Sequence, residues 1–233
     1  MRSYRQYCPI ARGAEIFAER WTPIIVRNLL QGCRTFNEIL AGAPGISRSL
    51  LSQRLRFLER SGILERRPNP GGRGHLYVMT EAGEGLWDVC VALGNWGARW
   101  LEVAPEHLDP GVALWSMCNR LDRDELPSRR VVVRFDFRDR PKERFWLLLD
   151  HGRGEVCRTY PGFEEDLVVR ADSDWLVLWH MGRVSWGRAL DSGHIEVDGP
   201  AALARAFPTW NRRSYFAEVG PASAPARAEP SQA

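Results

Sequence analysis

Residues Ser47–Arg67 read SRSLLSQRLRFLERSGILERR. Wound into a helix, Leu51, Leu55 and Leu58 fall at i, i+4 and i+7 and make one apolar stripe. Ser49, Gln53, Arg56 and Arg60 take the opposite face, with Leu50 and Phe57 on one shoulder. The stripe requires a surface to pack on. The other face carries short polar groups at its leading end and arginines along its length. Ser47 is placed to cap the helix and Gly62 to stop it. Ile63-Leu64 then opens a strand-like run.

The flanking segments extend this pattern. From Pro9 to Gly32 the sequence reads as helical, with Thr22 expected as an N-cap, Pro23 in the first turn and Gly32 as the stop. TFNEILAGAPG starts at Thr35 with the T-x-x-E spacing of a capping box and ends in a Gly/Pro turn. Two helices joined by so tight a turn predict a helix-turn-helix. The runs ILERRPN and HLYVMT around PGGRG predict a two-stranded ribbon, hence a winged helix-turn-helix. Thr80 is expected to cap one long helix carrying Leu86, Val89, Leu93, Trp96 and Trp100 and ended by Pro105. A further helical piece spans about Asp109 to Asp122.

Beyond Pro127 the texture changes. RRVVVRFDF, RFWLLLD, EVCRTY and DLVVRA read as strands, SDWLVLWHMG and VSWGRALDSG as helices, HIEVDG as a strand and PAALARAFPTW as a helix. The fold class expected is α+β, with four parts: 1–104 winged helix-turn-helix, 105–127 connector, 128–219 sheet-and-helix domain, and a Pro/Ala/Ser-rich disordered tail at 220–233.

Charge separates the same parts. Residues 1–80 hold 13 arginines and five glutamates, a balance of +8, inside a chain whose net charge is only +3. Such asymmetry is the footprint of a polyanion partner. An isolated amphipathic helix with these residues would read as an ordinary solvated helix. The helix–turn–helix–ribbon order and the basic balance favour a recognition helix, narrow enough for the major groove and bearing side chains that make bidentate bonds to base edges. The candidate DNA-contacting residues are Arg48, Ser49, Ser52, Gln53 and Arg56 on the helix, and Arg73 and His75 on the wing. An arginine at the wing tip can reach an adjacent minor groove.

YCPIARGAEIFAERWTPIIVRNLLQGCRTFNEI, PGISRSLLSQRLRFLERSGILERR and YVMTEAG resemble the HxlR-type bacterial transcription regulators over residues 4–102. The resemblance implies a homodimer held by its first and last helices. It also implies two recognition helices in successive major grooves of a palindromic double-stranded operator. The basic winged-helix half joined to an apolar α+β half favours a repressor. Cys8 matches a position at which some members sense oxidants or electrophiles, and Arg5 and Arg12 lie near it in sequence. The strands from Val131 onward and RALDSGHIEVDGPAALARAF are similar to the sterol-carrier-protein type of domain, which implies an apolar tunnel. Trp146, Trp175, Trp179 and Trp186 are the candidate lining of a pocket for a small hydrophobic effector; packing of an ordinary core is the competing reading.

Five cysteines lack any C-x-x-C pairing, so neither a zinc site nor a disulfide framework is expected. The histidines are scattered and no nucleophile or metalloprotease motif is present, so the chain is not expected to be an enzyme and no cofactor or metal is expected. No apolar run approaches a membrane span and the start lacks a signal-peptide core, which predicts a cytoplasmic protein without a membrane partner. Two alternative functions stay open. One is a hydrophobic-ligand binding protein whose winged helix mediates protein contacts; the other is a thiol-based redox regulator using Cys8.

Overall fold

The computed structural model describes residues 3–71, 73–150 and 152–220. The disordered-tail expectation for 221–233 lies outside the described residues. The fold is α+β, and it is built around two hydrophobic cores.

The first half runs α1 (Pro9–Phe17), α2 (Thr22–Leu30), α3 (Phe36–Ala41), α4 (Arg48–Arg60), β1 (Leu64–Pro68), β2 (His75–Met79), α5 (Glu81–Glu84) and α6 (Leu86–Trp100). Its core joins Ile25, Val26 and Leu29 of α2, Ile39 of α3, and Leu51, Leu55 and Leu58 of α4. The predicted leucine stripe is therefore the buried face. Thr35 and Glu38 form the capping box, the Glu38 backbone N–H donating to Thr35 Oγ1 and the Thr35 N–H to Glu38 Oε2. Strands β1 and β2 pair antiparallel, from Leu64 opposite Met79 to Pro68 opposite His75.

Two boundaries differ from the sequence reading. The helical stretch Pro9–Gly32 breaks between α1 and α2, where Trp21 has a left-handed φ of 77° and takes the N-cap position expected of Thr22. Such a conformation costs a bulky residue about 1–3 kcal/mol; packing of Trp21 against the first core offsets it. The helix expected after Thr80 is also interrupted, because α5 ends at Glu84 and α6 begins at Leu86. Gly83 explains how α5 is seated. A Cβ there would lie 2.1 Å from the Ile63 carbonyl oxygen, so only glycine lets α5 close on the start of the ribbon.

The second half runs α7 (Pro110–Cys118), β3 (Val131–Phe137), β4 (Arg144–Asp150), β5 (Arg153–Cys157), β6 (Leu167–Ala171), α8 (Ser173–His180), α9 (Trp186–Asp191), β7 (Ile195–Asp198) and α10 (Ala201–Ala206). The five strands stand in the order β5-β4-β3-β6-β7, with β3 and β6 parallel and the other pairs antiparallel. Alternation sends Val131, Val133, Phe135 and Phe137 of β3 and Phe145, Leu147 and Leu149 of β4 to one face. Leu114, Met117, Leu176, Trp179, Phe207 and Trp210 close over it.

Three aromatic side chains of the second half join it to the first. Trp115 of α7 reaches the first core, where its ring lies on Gly42; a Cβ on Gly42 would stand 2.2 Å from Trp115 Cζ2. Arg27 lies over the same ring, its Cζ 5.0 Å from the centroid, and donates to the Gly42 carbonyl at 2.7 Å and to Asn28 Oδ1 at 2.8 Å. Further along, Phe216 sits on Gly94 of α6, where a Cβ would be 2.0 Å from its ring, and Tyr215 meets Trp87 edge-on at 5.2 Å.

Candidate nucleic-acid interface

Helix α4 starts where Ser47 Oγ accepts the Leu50 N–H at 3.2 Å. With Leu51, Leu55 and Leu58 buried, Arg48, Ser49, Gln53, Arg56 and Arg60 are left exposed and Ser52 half-buried. Among the described residues Gln53 and Arg56 have neither an ion pair nor a side-chain hydrogen bond, so both are free to meet a ligand. Arg48 leans back on α3, its guanidinium 4.9 Å from the Phe36 ring centroid and 3.4 Å from Asn37 Oδ1. Arg54 does something the sequence reading missed: it bonds Glu19 at 2.8 Å and ties α4 to the turn between α1 and α2. Its position, three after Leu51 and four before Leu58, was the available signal, since it flanks the buried stripe.

The wing holds Arg73 and His75 exposed. Arg73 is without an ion pair among the described residues. Arg66 and Arg67 differ from it, pairing with Glu59 at 3.6 Å and Glu65 at 3.0 Å. The free basic groups thus lie at the wing tip and along the bare face of α4.

A second surface is apolar. Tyr7 and Ile10 near α1 are 98% and 82% exposed, and Val89, Leu93, Trp96 and Trp100 form an exposed stripe on α6.

Cys8 is half-buried at the N-cap position of α1. Arg12, one of the two cations near it in sequence, is ion-paired with Glu15. Cys33 is buried, and that burial pushes its thiol up to about 11.

The structure does not bring the four tryptophans together. Trp179 and Trp186 meet at 4.6 Å within the second core, and Trp175 stacks on His194 at 3.9 Å. Trp146 lies on the other face of the sheet, between buried Phe145 and Leu147 in sequence, and donates to Glu165 Oε1 at 3.1 Å. The period of two along β4 separates it from the other three. Among the described residues no helix is long and apolar enough to cross a membrane, and no group of three or more metal-binding side chains is found.

The HxlR-like helix-turn-helix family matches residues 16–105. The uncharacterized HTH-type transcriptional regulator YvaP of Bacillus subtilis is 32% identical over 106 residues, 45% of this chain and 96% of that protein. The uncharacterized HTH-type transcriptional regulator Mb3122 of Mycobacterium bovis is 40% identical over 136 residues, 53% of this chain and 82% of that protein. The chain belongs to the HxlR-like helix-turn-helix family. Among solved structures, the reduced form of the transcriptional regulator YodB from B. subtilis is 31% identical over 42% of this chain and 97% of that one, with a TM-score of 0.37. In this HxlR-like chain the family match ends near Pro105, so α7 and the five-stranded sheet lie beyond it.

Proposed function

We propose that this HxlR-like chain is a homodimeric, DNA-binding transcription regulator that acts as a repressor. The observation that carries the DNA-binding reading is the face of α4 bearing Gln53 and Arg56, held outward by the buried leucines and without competing partners. Both side chains can make bidentate bonds to base edges, and the α4 N-terminus adds partial positive charge for a phosphate. The reading assigns residues 1–104 to DNA binding and dimerisation, 105–127 to the connection and 128–219 to a sterol-carrier-like domain. A five-stranded sheet with helices packed on its core face supports the last assignment.

Gln53→Ala and Arg56→Ala are each expected to cost ~1–3 kcal/mol of operator binding, with relaxed base preference at the contacted position. Arg73→Ala should weaken binding while leaving sequence choice intact. Fluorescence anisotropy with upstream DNA of the chain's own gene measures all three; unchanged affinity in every variant would remove α4 from the interface.

The exposed stripe on α6, together with Tyr7 and Ile10, supports the dimer. Trp96→Glu places a charge at the middle of that stripe. Sedimentation at micromolar concentration should then report a monomer where the natural chain is a dimer, with helical content preserved because Trp96 is 54% exposed. A variant that still sediments as a dimer would place the interface elsewhere.

A further inference from the structure

A cleft of about 500 Å³ opens between the two halves, well within the size of small-molecule sites. Cys33, Asn37 and Glu38 line one wall; Trp115, Phe145 and Arg158 line the other. We propose that this cleft binds a small planar aromatic carboxylate, with its ring between the walls and its carboxylate on Arg158. The regulatory meaning of such binding rests on the DNA-binding reading above; the site itself does not.

The charge pattern selects this class. Arg158 is exposed and has no ion pair among the described residues, and its guanidinium lies over the Phe145 ring at 4.8 Å. Gly111 keeps that arrangement open: a Cβ there would be 2.9 Å from Arg158 Nη2 and 3.3 Å from the Phe145 ring. Of the carboxylates around it, Asp109 and Glu38 are bound to backbone N–H groups. Asp109 Oδ1 accepts the Gly111 and Val112 N–H groups at the start of α7, at 2.7 and 3.3 Å. Glu38 Oε2 accepts the Arg34 and Thr35 N–H groups at 2.7 and 2.8 Å, and these bonds hold its carboxyl below the usual range against the opposing effect of burial. Glu155 also lines the cleft, but it stands opposite Leu148 on β4, so strand alternation directs its side chain to the face opposite that of Gly154 and Val156. An anion therefore finds its one uncommitted cation at Arg158, while ionised Glu38 on the far wall repels a carboxylate turned the wrong way. Planar guanidinium on carboxylate gives a bidentate bond, and half-buried Trp115 with the small residues Gly32 and Ala41 suits a flat ring.

A bound ligand would touch α3, which precedes the recognition helix, and α7 and β5 of the second half at once. It would bias how the halves meet, and DNA would bias its affinity in return.

The test is isothermal titration of the full chain with 2-naphthoate, 2-naphthalenemethanol and 2-naphthylmethylammonium. Naphthoate should bind at least about tenfold more tightly than the alcohol, as expected for one charge-assisted pair. Arg158→Ala should erase that difference, and Ala41→Trp should fill the cleft and abolish binding. Thermal melts equal to the natural chain establish that both variants fold. No heat with naphthoate up to millimolar concentration, tighter binding of the ammonium compound, or naphthoate binding unaffected by both substitutions would each overturn the proposal. Naphthoate binding in a chain that never associates with DNA would sink the regulator reading and leave the site standing.

Discussion

Phe207→Ala is expected to destabilise the second half of the chain by about 3–5 kcal/mol, the cost of removing a buried phenyl ring that its neighbours cannot replace. Phe207 has no exposed surface. Its ring centroid lies 6.0 Å from that of Phe135, 6.2 Å from Trp179, 5.4 Å from Trp186 and 5.7 Å from Trp210, so four aromatic residues from the sheet and the helices meet on it. Each pair sits at a tilted or edge-on angle, where the ring quadrupoles attract. Removing the ring leaves a hole walled by rigid indoles fixed to separate elements, which cannot collapse without moving a helix. Urea denaturation followed by tryptophan fluorescence should show a lower midpoint with little change in slope. A loss under about 1 kcal/mol would mean that the indoles relax into the space.

Acid should weaken the same half through His180. Its side chain is buried beneath α7, with Nε2 3.0 Å from Ser116 Oγ and Nδ1 without a partner among the described residues. Burial pushes the imidazole down to about 4, and the nearby Arg120 pushes in the same direction. The folded state thus keeps His180 neutral where the unfolded chain, with an ordinary histidine, takes up a proton. Between about pH 6.5 and pH 4 the unfolded state binds more protons, so stability rises with pH across that window and is lost as pH falls through it. The full loss is on the order of 3 kcal/mol. Urea titrations at pH 7 and pH 4 should differ by that amount in the natural chain and by clearly less in His180→Gln. Equal pH dependence in both would show that His180 protonates without cost.

Most of the fold is written locally. The faces of α4 follow from helical spacing, its start from Ser47, and the strands of the second half from runs of branched and aromatic residues between turn residues. Three features resisted reading. Thr22 and Pro23 mark the start of α2 to within one residue, but nothing local points to the left-handed Trp21 at the N-cap, which only tertiary packing sustains. In β4 the run Phe145, Trp146, Leu147, Leu148, Leu149 is apolar throughout. Its two faces could not be told apart, and Trp146 was grouped with tryptophans across the sheet. The cleft at Arg158 was invisible because it joins residues more than a hundred positions apart, from Asn37 to Arg158. The bare face of α4 was legible because one helix contains it.

The two places where an aromatic ring rests on a glycine have a use as a fingerprint. Gly42 has a φ of −81°, open to any residue, and Gly94 lies within a regular helix, so neither glycine is required by its backbone. Both are sockets cut for rings that belong to the added half of the chain. A winged helix of this type that ends early has no ring to receive and no reason to keep either socket. Paired glycines at these two places, with a tryptophan and a phenylalanine downstream, would therefore distinguish, by residue identity alone, an extension that docks from one that is merely tethered.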